Sequence, residues 1–328
     1  MTDNRIYAGF DLSFIDVDIR PFTQKNSSEL IEDLPLKGSH HVETDIEFKP
    51  GGNGFNLCRT LASLGRHITF VGPTSPLFES LVKEKNIKLE LEPIENAEVN
   101  ITSILNLAEG EVQFNSVKGF LAPEHLNSRV TKLFHSSTLK TISNISLNYK
   151  SIEWVSSLLL SIINPEDPIL FSSTISFDEK ISRFNDTSYE GIIFIDPCDL
   201  SKFGRMKELM KILKQLKKLE GEKYLSVNEF ELNAFTNAFD KSPEKLSEYL
   251  CLPIILHTKK SVRFWGKECI SLQTNTLSKT VTFVGAGDCF NGGFLDEILK
   301  SSSLVDALKA GISSASYLIE TGKYPTES

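Results

Sequence analysis

A chain of 328 residues with 40% hydrophobic and 24% charged side chains has the composition of a globular protein with a substantial core, not that of a disordered or fibrous one. Its net charge of −8 argues against a nucleic-acid surface as the main function, because a polyanion is held by an excess of lysine and arginine. Five scattered cysteines without a CxxC pair point to free thiols in a reducing cytoplasm, and no apolar run approaches a membrane span or the core of a signal peptide.

In chain order, Ile6 to Gly9 predicts a first short strand. Phe14 to Ile19 alternates Asp16 and Asp18 against Ile15, Val17 and Ile19, the pattern of a strand with one polar face. A second extended run, His41 to Lys49, leads into Gly51-Gly52-Asn53-Gly54-Phe55-Asn56. Behind these glycines Leu57, Cys58, Leu61, Ala62 and Leu64 recur at helical spacing, Gly65 stops the helix, and Ile68 to Val71 reads as a strand ending at Gly72. Asn100 to Leu107 and Glu111 to Lys118 flank Ala108-Glu109-Gly110 as a hairpin. No helix separates the strands within either segment, so those from about 12–50 and 98–120 are assigned to a small β lid over a pocket mouth.

Beyond residue 120 strand and helix alternate: Ile169 to Ser172, Gly191 to Asp196 with a helix over Lys202 to Lys218, Tyr224 to Val227, and Ile254 to Leu256. Apolar strands separated by amphipathic helices predict an α/β fold, a mostly parallel sheet flanked by helices in three layers, with the lid part of one domain over 1–328. Such a sheet carries its site at the carboxyl ends of its strands, where Asp196, Asn228 and the glycine turn at 285 would project. The lysines 207, 211, 214, 217 and 218 fall at helical spacing and read as a solvated helix face.

The segment most charged with chemistry is Val284-Gly285-Ala286-Gly287-Asp288-Cys289-Phe290, followed by Asn291-Gly292-Gly293. Glycines that turn the backbone into a helix expose successive N–H groups at the positive end of the helix dipole, where an anion is held. Asp288 beside them is placed to take a proton from an attacking hydroxyl. Cys289 is the one cysteine in a position to be reactive, with packing as its ordinary role. Asn53 and Asn56 supply the mixed donors and acceptors that hydroxyl-rich ligands require, and Gly52 permits close backbone approach. A dinucleotide fingerprint fails at Phe290, no GxxxxGK[ST] loop occurs, and His40-His41 lacks HExxH spacing.

The Gly51 to Asn56 segment with its helix, and the Gly285-Ala286-Gly287-Asp288 turn, resemble in order, separation and flanking elements the ribokinase-like, or PfkB, family of carbohydrate kinases, over essentially the whole chain. The resemblance implies transfer of the terminal phosphoryl group of ATP, or ADP, to a hydroxyl of a sugar or sugar derivative. In it Asp288 is the base, the Ala286, Gly287 and Asp288 amides behind Gly285 form the anion hole, and Gly52, Asn53 and Asn56 hold the sugar. The family's aspartate after the first strand is assigned to Asp16 in preference to Asp11. Asn228-Glu229-Phe230-Glu231 resembles its NxxE motif, implying that Glu231 meets Mg²⁺ through water, whereas helix capping by Asn228 is the plain alternative.

Two departures stand out. Thr282, Phe283 and Val284 replace the usual residues of a monovalent-cation loop, implying weak dependence on potassium. His257-Thr258-Lys259-Lys260-Ser261 contains no glycine, which alters the nucleotide turn and offers Lys259 or Lys260 to a phosphate. A nucleoside kinase of the same family is the first alternative, with Phe10, Phe14, Phe22, Phe48, Phe114 and Phe120 available to stack a base; a non-catalytic sugar sensor is the second. Neither nucleic acid nor membrane is expected as a partner, and exposed lid strands allow a homodimer.

Overall fold

The computed structural model describes residues 6–21, 44–107, 110–116, 119–144, 149–171, 175–184, 187–198, 206–274 and 276–326. Among these, the first sheet-forming segments are β1 (Tyr7–Phe10), β2 (Phe14–Pro21) and β3 (Thr44–Gly51), followed by α1 (Asn53–Ser63), β4 (Ile68–Gly72), α2 (Pro76–Glu84) and β5 (Glu90–Pro93). Then come β6 (Asn100–Leu107), β7 (Gly110–Ser116), α3 (Ser128–Ser136), β8 (Leu139–Ser143), α4 (Tyr149–Leu160), α5 (Phe177–Ser182), β9 (Thr187–Asp196) and α6 (Met206–Leu216). The chain continues through β10 (Leu219–Val227), α7 (Glu229–Phe239), α8 (Pro243–Leu250), β11 (Ile254–His257), β12 (Ser261–Trp265), β13 (Cys269–Gln273), α9 (Ala286–Leu299) and α10 (Leu304–Thr321).

Nine strands form one sheet in the order β13-β12-β11-β10-β9-β8-β1-β4-β5, parallel from β11 to β5 and closed at the other edge by the antiparallel β12 and β13. Its central strands are apolar on both faces, as a doubly covered sheet requires. In β9, for example, Ile193 and Ile195 enter one core while Ile192 and Phe194 enter the other. The first core takes residues from α3, α4, α6, α7 and α8, and the second takes them from α1, α2, α9 and α10, which gives three layers. Because β1, β8, β9, β10 and β11 run the same way, the chain leaves Asp11, Asp196, Asn228 and His257 at one edge of the sheet.

The predicted strand from Ile169 to Ser172 is a 3₁₀ turn, Pro168–Phe171. Asp167 explains it: its carbonyl accepts from the Leu170 amide and its side chain from the Ile169 amide, so the segment turns instead of extending. Ser172 lies outside the described residues, as do 41–43, 108–109, 117–118 and 202–205 of the predicted extended runs, hairpin turn and helix.

The lid is a separate sheet, β3-β2-β6-β7, with β2 and β6 parallel. Its register sorts the side chains by face: Asp16 pairs with Lys49 and Thr102, and Asp18 with Glu47 and Ile104, whereas Val17 pairs with Phe48 and Ser103. One face is therefore mainly polar, and the other carries Ile46, Phe48, Ile101, Val112 and Phe114, all exposed among the described residues. Lys49 pairs with Asp18 (2.7 Å), and Asn106 also donates to Asp18, tying three lid strands together on the polar face.

Helices α1 and α9 pack closely beneath the lid. Gly292 makes this possible: a β-carbon there would come within 2.5 Å of Thr60 Cβ. Arg66, just past α1, fixes the same contact from its other end, its Nε donating to Asp296 (2.6 Å) and its Nη2 to the Asp296 carbonyl (3.2 Å). Overpacking a contact of this kind costs about 1–3 kcal/mol. Gly292→Ala is expected to lower unfolding stability by that amount in a urea titration, with an unchanged denaturant slope; stability equal to wild type would show that the helices have room to spare.

Candidate active site

The amino end of α9 opens on Gly285, whose backbone adopts the left-handed conformation (φ +77°). This turn folds the Phe283 carbonyl onto the Ala286 amide (3.2 Å), and Gly285's own carbonyl accepts from Cys289 (2.8 Å). Ala286, expected in an anion hole, thus has its N–H engaged within the turn. The Gly287 and Asp288 amides, next in line, have no acceptor within their helix and stand at its positive end.

Asp288 is buried, and one carboxylate oxygen, Oδ2, accepts a hydrogen bond from Asn56 Nδ2 at 3.0 Å. Asn56 was expected to meet substrate, yet its other end is occupied as well, Oδ1 accepting from the Tyr324 hydroxyl at 3.0 Å. The asparagine therefore holds the candidate base. Gly52 precedes α1 as its N-cap and its carbonyl accepts the Asn56 amide (2.8 Å), while Asn53, the first helical residue, reaches the cleft described below.

Asp11 and Asp16 separate into different roles. Both oxygens of the buried Asp11 carboxylate accept from protein: the Leu12 amide (2.6 Å), the Gly54 amide at the start of α1 (2.6 Å) and Asn144 Nδ2 (2.8 and 2.7 Å). It is an anchor for the amino end of α1. Asp16 instead lies on the polar face of the lid with its carboxylate directly over the Gly51 backbone, beside Lys49 and Thr102.

Four acids share this region, Asp11, Asp196 and Asp288 buried and Asp16 half-buried. Burial, above all, pushes Asp11 and Asp16 up to about 7 and Asp196 up to about 6. The Asp288 carboxyl is held well above the usual carboxylate range by burial first, then by the negative charge of Asp196, Asp11 and Asp16, with the Asn56 amide opposing. Asn291, one helical turn after Asp288, donates to Asp196 (3.0 Å) and accepts from Ser226 (2.6 Å), fixing the second acid at the end of β9.

Beside Asp288 opens a cleft of about 710 Å³ lined by Asp196, Asn228, Glu231, His257, Lys259 and the 285–288 turn, among others. That volume lies within the range of small-molecule sites. Asn228 and Glu231 form a capping box: Asn228 Oδ1 accepts the Glu231 amide (3.0 Å) and Glu231 Oε2 accepts the Asn228 amide (2.8 Å). The NxxE spacing thus serves the start of α7, with the Glu231 side chain buried at the cleft wall. Lys259 reaches over the Phe283 ring, its Nζ 4.4 Å from the centroid. His257 sits against Gly287, and burial lowers it to about 4, so its imidazole is neutral.

Position assigns the remaining candidates. Cys289 is buried, its thiol donates to the Ser314 carbonyl (3.2 Å), and burial pushes it up to about 12, so it packs as a protonated thiol. Thr282, which replaces a residue of the family's cation loop, donates to the lid at Glu111 (3.0 Å). Of the phenylalanines considered for stacking a base, Phe10 and Phe14 are core, Phe48 and Phe114 lie on the outer lid face, and Phe22 is outside the described residues; Phe120 is covered by Lys150, 4.3 Å from its centroid. Tyr324 had no sequence signal, since nothing local marks a contact between residues as far apart as Tyr324 and Asn56. Asn291 had one: it lies three positions past the candidate base on a predicted helix.

Among the described residues no helix is long and apolar enough to cross a membrane, and no group of three or more histidine, cysteine, aspartate or glutamate side chains is placed to hold a metal ion. Residues 206–324 match the model of the pfkB family carbohydrate kinases. No curated protein matches the sequence. Solved structures match over nearly the whole chain. Ribokinase from Thermotoga maritima is 17% identical, covering 98% of this chain and 96% of its own at a TM-score of 0.66. Ribokinase from Cryptococcus neoformans var. grubii in complex with ADP is 17% identical, covering 98% and 97% at 0.64. Adenosine kinase from Schistosoma mansoni in complex with 2-fluoroadenosine is 12% identical, covering 99% and 98% at 0.66. The described residues therefore have the ribokinase-like fold, and residues 206–324, which carry Asp288 and its glycine turn, match the pfkB family carbohydrate kinases in sequence.

Proposed function

We propose that the protein is a kinase transferring the terminal phosphoryl group of ATP, or ADP, to a hydroxyl of a sugar or sugar derivative. The observation that carries this is a buried, base-like Asp288 at the amino end of α9, held by Asn56 beside a cleft of nucleotide size. Asp288 takes the proton of the attacking hydroxyl, and the Gly287 and Asp288 amides stabilise charge on the transferring group. The solved ribokinase containing ADP supports a nucleotide for the cleft.

The donors present suit Mg²⁺ held mainly by phosphate and water, with the buried Glu231 at the wall, and do not suit an all-protein cage. Bound there, the ion would neutralise phosphate charge. Lys259 is assigned to a phosphate, and Asn228 orients Glu231. A sugar is favoured over a nucleoside because the lid turns Asp16, Lys49 and Thr102 to its polar face, a hydrogen-bonding surface, and places Phe48 and Phe114 on the other. Asp16, Gly52 and Asn53 form the sugar side, with the lid excluding water.

Asp288→Asn is expected to lower kcat by about 10²-fold or more while leaving nucleotide and sugar affinity near wild type, since the amide keeps the shape and still accepts from Asn56. In the wild type the ionised base is the active form and its pKa is raised, so turnover should fall with pH through a midpoint above the ordinary carboxylate range. The test measures nucleotide consumption over a panel of sugars, sugar phosphates and nucleosides. Full turnover by the variant, or no nucleotide binding at millimolar concentration, would overturn the assignment.

The uncharged outer face of the lid is suited to a second copy, which would cover the same apolar patch about a two-fold axis. Sedimentation of the wild type should give a dimer, and Phe114→Lys, at a residue 61% exposed, a monomer; a monomeric wild type at micromolar concentration would refute this.

A further inference from the structure

Tyr324 lies past α10 and far in sequence from both glycine motifs, yet it reaches the centre of the site. Its hydroxyl donates to Asn56 Oδ1 (3.0 Å), and Asn56 Nδ2 donates to Asp288 Oδ2 (3.0 Å). Arg59, one turn after Asn56 on α1, lays its guanidinium over the Tyr324 ring, 4.0 Å from the centroid. The junction rests on the glycine turn, where a β-carbon at Gly285 would be 3.4 Å from the Tyr324 hydroxyl and 3.5 Å from Asn56 Nδ2. Three segments of the chain thus meet in one hydrogen-bonded line, clamped at its outer end by a cation on an aromatic face.

We propose that Tyr324 is a positioning residue for Asp288, acting through Asn56 to occupy one carboxylate oxygen, leave the other for the substrate hydroxyl, and favour the ionised carboxylate; this rests on the assignment of Asp288 as the base. A donor to the Asn56 carbonyl polarises the amide, so its N–H₂ becomes a stronger donor to the acid. It also opposes a flip of that amide, which would turn Oδ1 towards the carboxylate and favour the protonated form. The other ionisable groups around Asp288 and Tyr324 come from several elements: Asp11 after β1, Asp16 on β2, Arg59 on α1, Asp196 on β9, His257 at the end of β11 and Cys289 on α9. Tyr324→Phe leaves all of these in place and keeps the ring beneath Arg59, so it removes the hydroxyl alone.

The experiment follows the carboxyl carbon of Asp288 by NMR in the full chain labelled at aspartate, with Asp288→Asn giving the assignment. In Tyr324→Phe its titration midpoint should rise by roughly half a pH unit or more, with melting temperature close to wild type. In an Asn56→Ala background the same change should have no further effect, because the line is already cut. In the enzyme assay the acid limb of kcat/KM should move upward with the midpoint, and kcat should fall more than KM rises. An unmoved Asp288 midpoint, or full additivity with Asn56→Ala, overturns the proposal whatever the activity. A moved midpoint without turnover on any acceptor would uphold the hydrogen-bonded line and overturn the kinase assignment instead.

Discussion

One hydrogen bond, from Asn56 to Asp288, joins the two halves of the site, and most of the surrounding structure sets its length. The aspartate's height above the sheet is set by the left-handed turn at Gly285, and the asparagine's by the way Asp11 and the Gly52 carbonyl start α1. Between them the helices approach as closely as Thr60 and the bare Gly292 allow, and Arg66 locks the far end. The parallel sheet beneath supplies the common edge from which both motifs emerge. Moving any of these by an ångström would lengthen the bond past useful geometry.

The choice of partner for the buried acids has a pattern. Asp11 is held by Asn144, Asp196 by Asn291 and Asp288 by Asn56. An asparagine satisfies a carboxylate's hydrogen-bonding need without cancelling its charge, so burial, the main cause, still makes these acids hold their protons to higher pH than exposed carboxylates do, with charge repulsion adding to it at Asp288 and Asp11. Arginine or lysine in those places would have made stable ion pairs and poor bases. The cationic side chains instead lie away from these three acids, Lys49 on Asp18 and Arg59 on the face of Tyr324.

Much of this was legible in the sequence because it rests on local backbone rules. Glycine before an acidic helix start marks the turn at 285–288, and period-two alternation from Phe14 to Ile19 marks which face of the lid is polar. The spacing of Asn228 and Glu231 was legible too, but it has two physical uses, and the capping box is one of them. What stayed hidden depends on contacts between distant segments. The Asn56 side chain could not be seen to face Asp288 in place of a ligand, and Tyr324 carries no periodic or compositional mark. The run at Ile169 misled because three apolar residues fit a strand, whereas Asp167 and Pro168 ahead of them decide for a turn.

Two of the five cysteines, Cys58 on α1 and Cys289 on α9, sit buried on the helices whose contact positions the base, and burial raises both thiols far above neutrality. Cys251, just past α8, and Cys269, at the start of β13, lie exposed. The chain thus carries its own chemical stopwatch: an alkylating reagent would consume the outer pair at once and the inner pair only as fast as α1 and α9 part, so the lag between the two reads the lifetime of the assembled site.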